Sequence, residues 1–153
     1  MKENENSEKT TSSNDAIYQR FREEREEWSR KIGEYSDRLR DIYKVGDLLT
    51  DVYSQRQIAL EYAHTLMSHL IKVNKIFREK RQERFDYYSR EHDLRLDKEA
   101  KYEHITQDLT EIVERREMLQ NHLDYMRETV KTIDNIGFGI KHRITLEEYR
   151  RGT

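Results

Sequence analysis

The 153-residue sequence contains no cysteine and no proline, and it has only five glycines. Without cysteine there is no disulfide framework, no thiolate metal site and no cysteine nucleophile. No apolar run approaches the roughly 20 residues that a membrane-spanning helix needs. The polar, acidic amino terminus is unlike a signal peptide. We therefore expect a soluble, cytoplasmic protein.

Charged residues make up 39% of the chain and hydrophobic residues only 34%. This composition is too polar for an ordinary globular domain, yet the apolar residues recur too regularly for full disorder. Most of the polar residues favour helix, and no proline interrupts it. We predict an all-α protein whose long helices carry heptad seams and form a helical hairpin or coiled-coil-like bundle. Because so little apolar material cannot bury a wide core, we also expect the protein to be oligomeric.

The pattern divides the chain into four segments. Residues 1–14 are polar and predict a disordered tail. Residues 15–45 predict an amino-terminal helix of uncertain role, and its boundary falls at Gly46, since glycine commonly follows a helix end. A single helix that continues through Gly46 is the alternative. Residues 46–96 predict a long helix, and residues 97–153 predict a heptad helix with a glycine-rich ending.

Two seams alternate steps of three and four residues, as in coiled coils. The first seam consists of Leu49, Val52, Arg56, Ala59, Ala63, Leu66, Leu70, Val73 and Phe77. The second consists of Tyr102, Ile105, Leu109, Ile112, Arg116, Leu119, Leu123, Met126, Val130 and Ile133. A turn near residues 91–97 separates the two helices, and Asp93 or Asp97 can cap the second. Arg116 is the polar residue of that seam, and it can set register or oligomer number.

A basic, aromatic stretch runs from Lys72 to Arg90, with seven cations against three carboxylates. Cations beside exposed rings suit single-stranded DNA, because the cations attract phosphates and the rings stack on unpaired bases. Candidate contact residues are Lys75, Arg78, Lys80, Arg81, Arg84, Tyr87, Tyr88 and Arg90. The alternative interpretation is a solvated helix end whose tyrosines close a helical hairpin.

The carboxy-terminal segment contains Gly137 and Gly139 on either side of a phenylalanine. Glycine reaches backbone conformations that other residues avoid, so the pattern predicts that the long helix ends here. A second short helix is expected to start near Thr145. A candidate second basic patch follows the glycines and consists of Lys141, His142 and Arg143.

The sequence contains no phosphate loop, no dinucleotide fingerprint and no nucleophile motif. His104 and Asp108 are four residues apart on one helix face, but a metal site needs more ligands than this pair. We expect no enzyme activity, no cofactor and no metal.

Two stretches resemble the UvsY-type recombination mediators of T-even-like phages. One is Arg84-Phe85-Asp86-Tyr87-Tyr88-Ser89, and the other extends from Leu119 through Leu123-Asp124-Tyr125 and Val130-Lys131-Thr132-Ile133-Asp134-Asn135-Ile136-Gly137-Phe138-Gly139-Ile140-Lys141. The resemblance extends over about residues 66–151. The resemblance implies a helical, ring-forming homo-oligomer, a hexamer or heptamer, that binds single-stranded DNA without sequence specificity in recombination, repair and replication. It also implies host-cell cytoplasm as the location if a phage encodes the chain.

Family members help to load a RecA-like recombinase onto DNA coated by a single-strand-binding protein. Of the family's DNA-contacting cations, one corresponds to Arg84, and the other falls near Gln82, where Lys80 or Arg81 would substitute. The resemblance associates the carboxy-terminal segment with oligomerisation, which points to Ile112, Leu119, Leu123, Met126, Val130, Ile133 and Phe138. A coiled-coil scaffold or adapter that binds no DNA is the second hypothesis.

Overall fold

A computed structural model describes residues 2–91 and 97–152, and it confirms the all-α class. Helix α1 is Lys2–Arg38, α2 is Val45–Asp86, α3 is Lys98–Asp108 and α4 is Thr110–Gly152. A 3₁₀ turn, Ile42–Lys44, precedes α2, and a π-helical turn, Tyr87–Glu91, continues it. These described ranges contain no β-strand. No helix in them combines the length and the apolarity needed to cross a membrane.

Helix α1 begins at Lys2, where the composition predicts a disordered tail for residues 1–14. Between Lys2 and Ile32 the sequence has neither glycine nor proline, so no residue there breaks the helix. Its buried face carries Phe21, Trp28 and Tyr35, which are seven residues apart as the sequence pattern indicates.

The break between α1 and α2 spans residues 39–44 and lies earlier than the predicted boundary at Gly46. The Asp41 side chain accepts a hydrogen bond of 3.0 Å from the backbone N–H of Tyr43 and so caps the 3₁₀ turn. Gly46 lies inside the first turn of α2. A polar side chain rather than glycine therefore makes this boundary, and the chain is not one helix through Gly46.

Tertiary contacts divide the chain into two compact units. The first comprises Met1–Gln19 and Leu66–Asn121, and the second comprises Arg20–Thr65 and His122–Thr153. Helices α1, α2 and α4 each contribute residues to both units.

The second unit has a core drawn from three helices. Its buried apolar side chains are Phe21, Trp28 and Tyr35 of α1, Val45, Leu48, Val52, Ala59 and Ala63 of α2, and Leu123, Met126, Ile133 and Ile140 of α4. Of the predicted α2 seam, the buried residues are Val52, Ala59, Ala63, Leu66 and Leu70, and the half-buried apolar ones are Leu49, Val73 and Phe77. Leu48, which lies outside the predicted seam, is fully buried. Arg56, the polar seam residue, pairs with Asp134 at 2.5 Å.

The first unit has a smaller core, formed by Leu66 and Leu70 of α2, Ile105 of α3, Leu109, and Leu119 of α4. Arg116 lies in this seam with its guanidinium 4.4 Å from the centre of the Phe77 ring. A cation–π contact within the chain thus accommodates this polar seam residue.

Helices α3 and α4 replace the single heptad helix expected after residue 97. Asp97 caps α3, because its side chain accepts a 2.8 Å hydrogen bond from the N–H of Ala100, as the sequence indicates. The helix then breaks at Leu109, whose N–H donates to the carbonyls of Ile105 and Thr106. The turn predicted near 91–97, with Asp93 as the other capping candidate, lies mostly outside the described residues.

The prediction that the long helix ends near Gly137 and Gly139 is wrong. Helix α4 continues to Gly152, and no described residue has a positive φ. The short helix predicted near Thr145 is part of α4. A Cβ placed on Gly137 would lie 4.0 Å from Val52 Cγ1, and one on Gly139 would lie 3.7 Å from Leu39 Cδ2. The glycines therefore face neighbouring side chains inside a regular helix and do not form a turn.

Candidate nucleic-acid interface

The basic, aromatic stretch forms the carboxyl half of α2 and belongs to the first unit. Its cations are all exposed: Lys72, Lys75, Arg78, Lys80, Arg81, Arg84 and Arg90. Two grooves are lined by this part of α2, one together with α3 and the other together with the end of α3 and the start of α4. The two grooves differ in the charge of their lining.

The first groove, here called the arginine groove, has a volume of about 370 Å³. Its lining consists of Arg78, Arg81, Gln82 and Phe85 from α2, and Tyr102 and Ile105 from α3. This lining contains two guanidinium groups and two aromatic rings but no carboxylate. In the described part of the chain neither arginine forms a salt bridge. Both guanidinium groups are therefore available to an anion.

Helical spacing explains how the arginine groove is built. Residues 78, 81, 82 and 85 are related by steps of three and four, so their side chains share one face of α2. Tyr102 and Ile105 are three apart and share a face of α3. Phe85 is 38% exposed and Tyr102 is 41% exposed. Lys101 places its Nζ 5.5 Å from the centre of the Phe85 ring and brings a third cation to the groove edge.

The second groove, here called the mixed groove, has a volume of about 270 Å³. Its lining is Ile76, Lys80, Glu83, Arg84, Asp108, Leu109, Glu111, Ile112 and Arg115. Three carboxylates therefore oppose three cations. Arg84 Nε lies 3.7 Å from Asp108 Oδ2. The mixed groove has much less net attraction for a phosphate than the arginine groove.

Tyr88 attaches the π-helical turn to α3. Its hydroxyl donates a 2.8 Å hydrogen bond to Asp108 Oδ2, and its ring stacks on His104 with 5.5 Å between the ring centres. Burial and this hydrogen bond raise the pKa of Tyr88. These contacts hold Tyr88 against the protein. His104 and Asp108 thus hold Tyr88 in place.

Among the described residues, no group of three or more histidine or acidic side chains is placed to hold a metal ion.

The other predicted contact residues occupy the same helix end. Tyr87 is exposed and meets Tyr88 edge to face at 5.1 Å, and the Arg84 guanidinium lies 6.0 Å from the Tyr87 ring centre. Lys75 pairs with Glu79 at 3.8 Å. Arg90 lies in the π-helical turn.

The candidate second basic patch belongs to the second unit, on α4. Lys141 and His142 are exposed, and Lys141 Nζ lies 5.6 Å from the ring centre of Tyr53 and 5.9 Å from that of Phe138. Arg143 differs, because its Nη2 donates a 3.1 Å hydrogen bond to the carbonyl of Arg40 and its Nε is buried. Arg143 therefore stabilises the break between α1 and α2, where Arg40 lies.

The seven residues predicted for oligomerisation have different environments. Leu119, Leu123, Met126 and Ile133 are buried in the core of a single chain, while Ile112 and Val130 are half-buried. Phe138 is 67% exposed. Oligomerisation stays a prediction, and of these side chains Phe138 is the one best placed to contact another copy.

A buried polar cluster in the second unit is absent from the sequence prediction. His122 is 1% exposed, its Nε2 lies 2.8 Å from Glu24 Oε2, and the Tyr62 hydroxyl donates to the same oxygen. Burial lowers the pKa of His122 and so favours the neutral ring, although the contact with Glu24 acts in the opposite direction. Burial acts to raise the pKa of Glu24, but hydrogen bonds from Tyr62, Arg20 and His122 lower it.

Two signals in the sequence point to residues that the prediction left out. His122 falls on a row with Leu119 and Met126, spaced three and four apart, that also contains the buried residue Thr129. Phe85 follows Arg78 by seven residues, which places them on one helix face. Tyr102, by contrast, belongs to the predicted apolar seam. Only the packing of α3 shows that it lines the arginine groove.

Comparisons with known proteins gave no match to a family model, to a characterised protein or to a solved structure.

Proposed function

We propose that this protein binds single-stranded DNA without sequence specificity through the arginine groove. We further propose that it acts as a recombination mediator that helps to load a RecA-like recombinase onto DNA coated by a single-strand-binding protein. The observation that carries the proposal is the lining of the arginine groove, in which Arg78 and Arg81 stand beside two exposed rings and no carboxylate. This combination supplies attraction for phosphates and flat surfaces for unpaired bases.

Local charge matters here because the whole chain has a formal net charge of -2. Long-range attraction to DNA is therefore weak, and binding depends on clustered cations. The rings of Phe85 and Tyr102 favour unpaired strands, since the bases of a duplex are already stacked on each other. Stacking contributes about 1–3 kcal/mol per base and tolerates any base.

The mediator role rests on the resemblance of the Arg84–Ser89 and Leu119–Lys141 stretches to the UvsY-type family. In this proposal the subunits form a ring, and copying a modest groove around the ring multiplies its affinity for a long strand. The helical hairpin or coiled-coil-like bundle is the scaffold that presents each groove. Phe138 is our candidate for a contact between copies because its ring is exposed.

The direct test measures recombinase loading. A RecA-like recombinase hydrolyses ATP when it assembles on single-stranded DNA, and a coat of single-strand-binding protein delays this assembly. Addition of this protein should shorten the delay, and an Arg78→Gln/Arg81→Gln variant should not. An unchanged delay with the wild-type protein, although it binds the strand, would refute the mediator role.

A helical scaffold or adapter that binds no DNA is the alternative. It is favoured by the exposed rings of Tyr53 and Phe138, which lie beside Lys141 on the second unit. Aromatic residues of this kind often anchor protein–protein interfaces. A fluorescence titration with a homopolymer strand separates the two functions, because a scaffold should give no saturable signal at low salt.

A further inference from the structure

The arginine groove is small for a surface that tracks a polynucleotide. Its volume of about 370 Å³ lies at the lower end of the range of roughly 300–1,000 Å³ that is typical of small-molecule sites. Along α2 the lining extends from Arg78 to Phe85, which corresponds to roughly 10 Å at the standard helical rise. These dimensions suit one nucleotide and do not suit several in a row.

We propose that the arginine groove is a single-nucleotide site that also binds a free nucleoside triphosphate, which then competes with the DNA strand. The shared chemistry is a phosphate group beside an unstacked base. Arg78 and Arg81 hold the phosphates, and Phe85 and Tyr102 contact the base. Only the competition with the strand rests on the proposed function, since binding of the free nucleotide does not require it.

The lining also determines which form of the nucleotide binds. A magnesium-bound nucleotide site usually holds the ion through carboxylates, and the lining of the arginine groove has none. The guanidinium groups instead contact the phosphate oxygens directly, in the forked geometry that favours them. Added magnesium should therefore weaken binding, because the ion competes with Arg78 and Arg81 for the same oxygens.

Gln82 provides the remaining polar side chain of the groove. It lies one turn from Arg78 and Phe85. Its Nε2 donates a 3.1 Å hydrogen bond to Asp86 Oδ1, which leaves the amide oxygen and the second N–H for a base edge. An amide that can present either group accommodates different base edges. We therefore expect purine and pyrimidine triphosphates to bind within about threefold of each other, in line with the sequence tolerance of stacking sites.

The test is an isothermal titration of the full chain with ATP, with adenosine and with inorganic triphosphate as separate arms. ATP should bind at least about tenfold more tightly than either part, because each part makes only one of the two kinds of contact. Equal binding of inorganic triphosphate and ATP would overturn the inference and leave a simple anion site. Binding strengthened by magnesium would also contradict it.

Variants locate the site. Tyr102→Ala should weaken ATP binding by roughly fivefold or more, as expected for a lost stacking contact, and Arg81→Gln should weaken it by roughly tenfold, as expected for a lost charged hydrogen bond. Lys80→Gln is the matched control, because it removes a charge from the same helix but lines the mixed groove. Unchanged ATP affinity in Tyr102→Ala, or an equal loss in Lys80→Gln, would place the nucleotide elsewhere.

Competition separates this inference from the proposed function. In the absence of magnesium, ATP should displace a labelled homopolymer strand from the wild-type protein. A protein that binds the strand but neither binds ATP nor releases the strand would refute the single-nucleotide site and leave DNA binding intact. A protein that binds ATP but no strand would refute the proposed function and leave the nucleotide site intact.

Discussion

The division between the two grooves gives a sharp mutational prediction. Arg78→Gln/Arg81→Gln removes two positive charges from the arginine groove, and Lys80→Gln/Arg84→Gln removes two from the mixed groove. All four side chains are exposed on the same stretch of α2, so both variants should fold. The net charge changes equally. A difference between the variants therefore reports position and not total charge.

The expected magnitude follows from counterion release. On a single strand each phosphate contact contributes about 0.7 to the slope of log affinity against log salt concentration. Loss of two contacts should flatten the slope by about 1.4. When the salt concentration is lowered from roughly 1 M to 0.1 M, each contact adds about fivefold in affinity. At about 0.1 M salt the double variant should therefore bind about 25-fold more weakly than the wild type, a loss of about 2 kcal/mol.

The control variant should lose much less. Arg84 already lies 3.7 Å from Asp108, and Lys80 shares its groove with Glu83 and Glu111. Their attraction for a phosphate is partly cancelled by these carboxylates. We expect the Lys80→Gln/Arg84→Gln variant to lose less than about fivefold in affinity.

Fluorescence anisotropy with a labelled homopolymer of thymidylate, over a series of sodium chloride concentrations, measures both quantities. Circular dichroism confirms that each variant keeps its helices. Equal losses in the two variants would refute the reasoning from the carboxylate-free groove. No loss in either would move the binding site away from α2.

The remaining predictions concern stability and assembly. Gly33→Ala should raise the free energy of unfolding by about 0.5–1 kcal/mol in urea titrations, since a Cβ there meets nothing within 4 Å and alanine favours helix; a decrease would contradict the regular helix. Met126→Ala should lower it by about 2–5 kcal/mol, because Met126 is fully buried; a change below 1 kcal/mol, well under that range, would mean that the site is not a packed core. Stability should fall as the pH drops below about 6.5, because His122 stays neutral when folded but binds a proton when unfolded. It should fall further below about 4.5, because the lowered pKa of Glu24 keeps its carboxylate charged only in the folded state. A urea unfolding midpoint that does not change over this pH range would contradict the buried cluster. Phe138→Glu should reduce the native mass without loss of helix, and an unchanged oligomeric mass would exclude Phe138 from the contact between copies.

The apolar seams could be predicted from the sequence because burial in a helix follows a simple spacing. Phe21, Trp28 and Tyr35 are seven apart, and all three are buried. In α2 the alternation through Val52 and Leu66 also agrees with the structure. Such patterns can be read from the sequence because apolar residues at helical spacing form one stripe that faces the core.

The helix ends could not be predicted in the same way. At the α1–α2 break, glycine chemistry pointed to Gly46, but the side chain of Asp41 made the cap. At Gly137 and Gly139 the packing of α4 outweighs the local preference for a turn, and the helix continues past Val52. Tertiary contacts override weak local preferences of about 1 kcal/mol per residue.

The candidate site was predictable in part. The sequence marks Arg78 and Arg81 as cations on a helix, but it does not show which face α3 covers. Asp108 and Glu111, which neutralise the mixed groove, are distant in sequence from α2. The same packing brings Tyr102 to the arginine groove. Which of the cations on α2 are free of neighbouring carboxylates therefore depends on contacts that only the folded chain contains.

Recognition of an unpaired DNA strand is the proposed property on which the mediator role depends. The most direct measurement titrates the wild-type chain with a thymidylate homopolymer and with a duplex of the same length, both at low salt. We expect saturable binding that is tighter for the single strand and that weakens as salt is added. No saturable binding to the single strand, or equal affinity for the duplex, would contradict it.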